Sequence, residues 1–333
     1  MELYERHRIV VDLGQEPERL DKFLQMRLSG VSRNKIQSAA DTNCILVNDS
    51  VAKSSYKVKP GDTIVVLLPY PPHNEELVPQ NLPLDIVYED PYLVVVNKQP
   101  GMVVHPAPGN YTGTLLNGLL YYLNPNLGEQ LAQPFLVHRI DKDTSGLMLV
   151  AKTEEAQTRL AKQFFDHTIE RKYQALVWGN LDDDDGTIEG NLERHPVDRR
   201  IVHVTPDPER GKHAVTHWHV LERFGYVTLV ECVLETGRTH QIRAHMKHIG
   251  HPLFNDAAYG GDAILKGTTF SKYKQFVENC FYLCPRQALH ARVLGFVHPL
   301  TGETLHFEQD LPADMAALLE KWRAYSAASS RPE

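Results

Sequence analysis

Cysteine is scarce in this chain: Cys44, Cys232, Cys280 and Cys284 are the only four in 333 residues, and none forms a C-x-x-C pair. That argues against a disulfide scaffold and predicts free, mostly buried thiols in a reducing compartment. Long apolar runs are missing as well. The N-terminus MELYERHRIV has no apolar core of signal-peptide length, and no stretch approaches the ~18 residues of a membrane span. The expectation is a cytoplasmic protein with no membrane contact. The chain contains no G-x-S-x-G, no G-x-G-x-x-G and no G-x-x-x-x-G-K-[ST], so serine nucleophiles, dinucleotide cofactors and nucleotide hydrolysis lack support. Metal ligation is poorly supported despite His240, His245, His248 and His251, with His217 and His219 upstream. A helical ligand pair prefers His at i and i+4, which 240 and 245 do not satisfy. Mixed with Arg238, Arg243 and Lys247, these histidines form a hydrogen-bonding or RNA-facing surface, and neither metal nor cofactor is expected.

Acidic residues outnumber basic ones by 42 to 35, for a net charge of −7, which taken globally argues against a nucleic-acid binder. The distribution reverses that inference. Residues 19 to 59 hold eight Lys or Arg against three Asp, while Glu75, Glu76, Asp85, Glu89, Asp90 and the run Asp182 to Asp185 carry much of the acidic excess. A local basic patch suits a polyanion. Within it Leu20, Phe23, Leu24 and Leu28 fall at helical spacing, with Arg19, Lys22 and Arg27 off that face. Ser32 is a good N-cap for a second helix whose first turn holds Arg33 and Lys35. Cations there oppose the helix dipole and make sense where a phosphate docks, although two solvated side chains explain them equally well. CILVND alternates as a strand, and KVKPGDTIVVLL predicts a small hairpin around Pro60 and Gly61.

In LDKFL, SRNKIQ and ILVN, residues 17 to about 68 resemble the S4-like RNA-binding domain shared with a small-subunit ribosomal protein. The resemblance implies a helix-and-hairpin domain over 1–70 with the Arg33/Lys35 helix on RNA backbone, and RNA contact extending to Arg19 and Lys22. Pro69, Pro71, Pro72, Pro79 and Pro83 then interrupt regular structure and predict a semi-rigid linker over 71–83. A second domain is expected over 84–326, followed by a frayed tail, 327–333.

The stretch His138 to Thr153, HRIDKDTSGLMLVAKT, organises that second domain. LMLV has the apolar continuity of a buried strand, and Asp143 to Gly146 that of a tight turn before it. Desolvation at such a strand mouth raises a carboxyl pKa above its ordinary value of about 3.9, so an ionised Asp141 requires cations or N–H donors close by. Asp141 is then a clamp, paired with Arg139, or a catalyst. Further elements follow: strands on both sides of Glu89 to Pro91, helices from Thr114 and Thr153, and a strand IERKYQALVWG in which Tyr173, Ala175 and Val177 share a face. A strand, a turn at Gly237 and a helix span GYVTLVECVLETGRTHQIRAHMKHIG. Arg243 lies beside that helix's apolar stripe of Ile242, Met246 and Ile249 and requires a carboxylate partner. QALHARVLGFVHP adds a strand and Pro312 to Tyr325 a closing helix. Strands outnumber helices without regular alternation, which favours an α+β domain with a mostly antiparallel sheet. An aspartate acting without a cofactor fits attack at, or stabilisation of, a sugar anomeric carbon. Tyr173 by itself is equally a core-facing strand tyrosine.

Four ordered segments, HRIDKDTSGLMLVAKT, ERKYQALVWG, ETGRTHQIRAHM and QALHA, resemble the successive motifs of the RluA-type pseudouridine synthases. With PLDIVYEDPYLVVVNK and VVHP the similarity spans nearly the whole chain and is greatest to the RluD and RluC branch. One departure is visible: the family's N-K-P-x-G is here Asn97, Lys98, Gln99, Pro100, Gly101. The resemblance implies cofactor-free isomerisation of uridine in RNA, in which the ribose–N1 bond breaks, the base turns and ribose rejoins at C5. It implies that Asp141 attacks C1′ or removes the C2′ proton, that Tyr173 stacks on the base and aids loss of the C5 proton, and that Arg243 pairs with Asp141. Leu289 then presses on the base from the other side, and Arg139 fills the space left by a flipped-out uridine. Arg238 and His240 are further substrate-binding candidates. The implied partner is large-subunit (23S) ribosomal RNA, free or in an assembling subunit. Transfer RNA is the nearest alternative substrate, and an RNA-binding assembly factor without chemistry is the alternative of another class.

Overall fold

The computed structural model describes residues 4–28, 31–68, 77–107, 109–126 and 131–329. The chain divides into two units, Met1–Glu76 and Leu77–Glu333. In the first, the apolar stripe that predicts a helix forms α1 (Leu20–Arg27), with Leu20, Phe23 and Leu24 buried. The Ser32 hydroxyl caps α2 (Arg33–Asp41) by accepting from the Lys35 N–H at 3.5 Å. The strands are β1 (Tyr4–Val10), β2 (Glu18–Arg19), β3 (Ile45–Val47), β4 (Ser50–Val51), β5 (Lys57–Val58) and β6 (Thr63–Leu68), in a sheet of order β1-β6-β3-β4 with β2 paired to β5. The predicted hairpin over KVKPGDTIVVLL does not form, because β5 and β6 pair with other strands. Its turn is drawn elsewhere: the Gly61 N–H donates to Val11 O, and the Asp62 carboxylate accepts from Lys59 N, Asn48 Nδ2 and Tyr56 Oη. Strand β1, whose sequence alternates charge rather than apolarity, has no counterpart in the sequence reading.

The second unit is built on one sheet. Its strands are β7 (Ile86–Glu89), β8 (Leu93–Lys98), β9 (Phe135–Leu136), β10 (Ser145–Ala151), β11 (Glu170–Trp178), β12 (Asp185–Arg194), β13 (Val202–Thr205), β14 (Lys212–Arg223), β15 (Val227–Leu234), β16 (Leu289–Val297) and β17 (Thr304–Glu308). The order is β13-β12-β14-β15-β11-β16-β10-β8-β7, with β9 on β10 and β17 on β16. Every pairing is antiparallel except β10 with β16. The fold is thus α+β, with a mixed, mostly antiparallel sheet. Helices α3 (Leu115–Leu123), α4 (Glu154–Phe165), α5 (Gln241–His248), α6 (Ser271–Leu283) and α7 (Ala313–Ser329) cover it.

Alternation along the strands sorts the core. Val94, Met148, Tyr173, Ala175 and Val177 pack with Leu119 of α3 and Met246 of α5. On the opposite face Leu176, Trp178 and Leu229 meet Val277 of α6 and Trp322 of α7, while Leu147 and Leu149 meet Leu160 of α4. All four cysteines are buried and free. No helix among the described residues is long and apolar enough to cross a membrane.

Several expectations shift. Of the expected linker, Pro69, Pro71 and Pro72 lie outside the described residues. Residues 77–83 are docked on α3 instead: Gln80 N donates to Asn117 O, and Asn117 Nδ2 to Val78 O. Helix α7 continues to Ser329, past the expected start of the tail. The turn before β10 sits at Lys142–Asp143, with Thr144 N donating to Asp141 O, because Ser145 and Gly146 already pair with β16.

Gly146 makes that parallel pairing possible. Its φ is +112°, and a Cβ would lie 2.2 Å from Ala291 O. Gly146→Ala is expected to cost more than about 3 kcal/mol in chemical denaturation, the sum of a clash and a disfavoured φ. A second expectation concerns acid. Burial pushes the imidazole of His138 down to about 3 and those of His245 and His290 to about 4. The unfolded chain, with histidines near 6.5, binds more protons between about pH 6.5 and 4, so stability present above 6.5 is lost as pH falls through that window, by up to ~1.4 kcal/mol per group per pH unit. Denaturation midpoints should drop from pH 7 to pH 5, and His290→Gln should flatten the drop; an unchanged slope would remove His290 from this account.

Candidate active site

The sequence candidates of the second unit converge on one cavity of about 480 Å³, lined among others by Arg139, Asp141, Tyr173, Arg238, His240, Arg243 and Leu289. Asp141 sits immediately before the Lys142–Asp143 turn, and two buried cations pin that turn. Lys98 at the end of β8 donates through Nζ to Lys142 O at 2.9 Å, Gln99 O at 2.8 Å and Met102 O at 3.0 Å. Burial pushes its ammonium down to about 7, against the pull of Asp143 and Asp141. The Asn97–Gly101 segment therefore acts on the residue next to Asp141, through Lys98 rather than through its shifted proline. Arg286 donates to Asp143 O at 2.9 Å and Leu289 O at 3.1 Å and is itself held by Asp314 at 2.7 and 3.0 Å.

Arg243 reaches Asp141 from α5, donating through Nη1 to Oδ2 at 2.9 Å. Its other edge makes a bidentate pair with Asp256, Nε to Oδ2 at 2.7 Å and Nη2 to Oδ1 at 2.8 Å. The Tyr259 ring lies 4.9 Å from the guanidinium. Burial alone lowers the Arg243 pKa, but the hydrogen bonds and charge of Asp256, followed by Asp141, outweigh it and raise the net value. The cation is permanent. Side-chain exposure separates the two carboxylates: 1 % for Asp256 and 20 % for Asp141, so only Asp141 has an open face. His240, in left-handed backbone at φ 52°, points Nε2 toward Asp141 Oδ1 at 3.8 Å and places Nδ1 3.2 Å from Tyr259 Oη. Burial lowers its pKa, with Asp141 opposing. Gln241 locks this turn by accepting from Thr236 Oγ1 and Arg238 N and donating to Val215 O.

Tyr173 is buried, and burial raises its phenol pKa; Arg171 opposes the rise and Asp141 adds to it. Leu289 is buried on neighbouring β16. Arg139 is exposed and does not pair with Asp141; its guanidinium stands 3.5 Å from His105 Nε2. Arg238, also exposed, donates to His213 O at 3.0 Å. In the first unit, Arg19 and Arg33 both donate to the buried Asp21 carboxylate at 2.9 to 3.1 Å, with Gln37 at 2.8 Å. The hydrogen bond from Arg19 is the largest influence lowering the Asp21 pKa. Lys22 and Lys35 remain exposed.

Asp256, Tyr259, Lys98 and Arg286 belong to this site and were not singled out in the sequence. For the first the signal was partial: Arg243 beside an apolar stripe demanded a carboxylate, and Asp141 met that demand without pointing to the second one, Asp256. Among the described residues no group of three or more His, Cys, Asp or Glu is arranged to hold a metal ion.

The model of the RNA pseudouridylate synthase family matches residues 92–248, and that of the S4 domain residues 18–64. A Bacillus subtilis protein named an uncharacterized RNA pseudouridine synthase is 48 % identical over 310 residues, covering 93 % of this chain and 95 % of its own. A Zymomonas mobilis protein named ribosomal large subunit pseudouridine synthase D is 42 % identical over 313 residues, covering 91 % and 93 %. Human RNA pseudouridylate synthase domain containing 4 shares the fold, at 23 % identity, with a TM-score of 0.55 over 72 % of this chain and 93 % of that one. With a carboxylate, a tyrosine and a doubly anchored arginine in one cavity, and relatives of this similarity over nearly full length, the chain belongs to the RNA pseudouridine synthase family of isomerases, with an S4 domain preceding the synthase domain.

Proposed function

We propose that this isomerase acts on uridines of large-subunit ribosomal RNA, using Asp141 as its catalytic carboxylate on a base flipped out of the RNA stack. The observation that carries the role of Asp141 is its pairing: one oxygen is held by a permanent cation while the side chain keeps an open face to the cavity. A carboxylate so held is oriented, as both attack at C1′ and removal of the C2′ proton require. The reacting atoms of a uridine are closed off within a stack, and entry into a cavity of about 480 Å³ costs roughly a few kcal/mol of unstacking. Tyr173 then lies against the base as a neutral phenol, and loss of the C5 proton is driven by recovery of the conjugated ring, so no strong base is needed. Arg139, exposed at the rim and free of Asp141, suits the space the base vacates. The ribosomal substrate is supported by the name of the Zymomonas mobilis relative and its near-complete coverage. In the S4 domain, Lys22 and Lys35 are exposed and open to RNA backbone, while Arg19 and Arg33 contribute through a charge shared with Asp21.

Tritium release from C5-labelled uridine in transcribed large-subunit RNA tests this directly. Wild type should release tritium and Asp141→Asn should not, with RNA affinity unchanged within about threefold; equal loss of binding and release would make Asp141 structural. Release from transfer RNA alone would overturn the ribosomal substrate. Asp256→Asn leaves Asp141 in place but frees the far edge of Arg243, so kcat should fall on the order of 100-fold with little change in KM. A wild-type kcat in that variant would show that Asp141 alone positions the guanidinium.

A further inference from the structure

Arg171 is a cation that the reaction above does not use. It stands two residues before Tyr173 on β11 and lines the same cavity. Its exposure is only 7 %. Among the described residues no carboxylate lies within 4 Å of it: the carboxylates of the site pair with other cations, Asp141 and Asp256 with Arg243, Asp314 with Arg286. Its hydrogen bonds are two long ones from Nη2, 3.4 Å to Leu234 O and 3.3 Å to Glu235 O. Nε is buried with no partner. One face is covered by Phe164, 5.3 Å from the guanidinium carbon, and Nη1 rests against Gly237, where a Cβ would come within 2.7 Å. Glycine at 237 therefore leaves room for this side chain at the cavity wall.

A buried guanidinium with one nitrogen weakly engaged is costly unless an anion completes it. Arginine's planar fork suits a phosphate in particular. We propose that Arg171 anchors a phosphate group of the nucleotide whose base enters the cavity beside Tyr173. The anchor rests on the reading that a single nucleotide enters this cavity, and it adds to that reading a backbone contact inside the cavity wall. Such a contact carries no sequence information and fixes the register in which a flipped nucleotide meets Asp141. Burial lowers the Arg171 pKa, with only the Tyr173 phenol opposing, in keeping with a cation that has no protein anion of its own.

The test needs no identified RNA. The full chain is titrated with uridine and with uridine 3′,5′-bisphosphate, following binding by NMR or calorimetry, for wild type, Arg171→Met and Arg171→Lys. Wild type should prefer the bisphosphate, and Arg171→Met, which keeps an apolar stem against Phe164, should reduce that preference about tenfold with uridine affinity unchanged. Arg171→Lys should retain part of the preference, and it decides the matter if Arg171→Met does not fold. A preference unaltered in the variants, or equal weakening of both ligands, makes Arg171 a structural residue and overturns the anchor. Equal affinity of wild type for both ligands does the same. If wild type binds neither, the single-nucleotide reading of the cavity fails and the anchor fails with it.

Discussion

The synthase domain depends on one buried cation shared between two carboxylates. Arg243 and Asp256 are both withdrawn from water, and their bidentate pair offsets a desolvation cost that neither tolerates alone. That pair fixes the guanidinium so that its remaining edge presents a single N–H to Asp141. Asp141 is thus held in place by a group whose position it does not have to maintain. The surrounding structure serves the same geometry. Gln241 ties the first turn of α5 to β14, and Trp178 Nε1 donates to Gly261 O at 2.8 Å, holding the segment that carries Asp256.

The loop carrying Asp141 is short and fixed through its backbone. Lys98 takes the carbonyl of Lys142 and Arg286 that of Asp143, from opposite ends of the sheet's chain order. The Arg286 bond is charge-assisted and sits in a dry environment, where it is stronger than a neutral one. Arg286 precedes the segment that pairs in parallel with β10, and it donates to Asp314 on α7. The cavity wall is therefore hydrogen-bonded through its backbone where the carboxylate sits, and Arg139 and Arg238 are among its exposed side chains.

In the S4 domain a buried carboxylate governs a basic surface. Asp21 draws in Arg19 and Arg33, both partly exposed, and so fixes two of the cations nearest the start of α2. The arginines still present positive charge to solvent, but part of it is neutralised locally, whereas Lys22 and Lys35 are exposed.

Local chemistry was legible from the sequence. The cap at Ser32, the helix starts at Thr114 and Thr153, the stripe of α1, and the shared face of Tyr173, Ala175 and Val177 each rest on residues a few positions apart, where backbone geometry alone sets the spacing. The ordered motifs brought Asp141, Tyr173, Arg243 and Leu289 into one expectation, and they do line one cavity. What only the tertiary structure decided are the remaining partners of charges and of strand edges. Arg243 turned its other edge to Asp256, and Arg286 and Asp143 met across 143 positions. Strand β6 passed over its near neighbour β5 for β1 and β3, and Arg19 and Arg33 turned to Asp21. A charge or an open strand edge demands a partner without naming it, and the partner is whichever complementary group the packed apolar faces bring within about 3 Å.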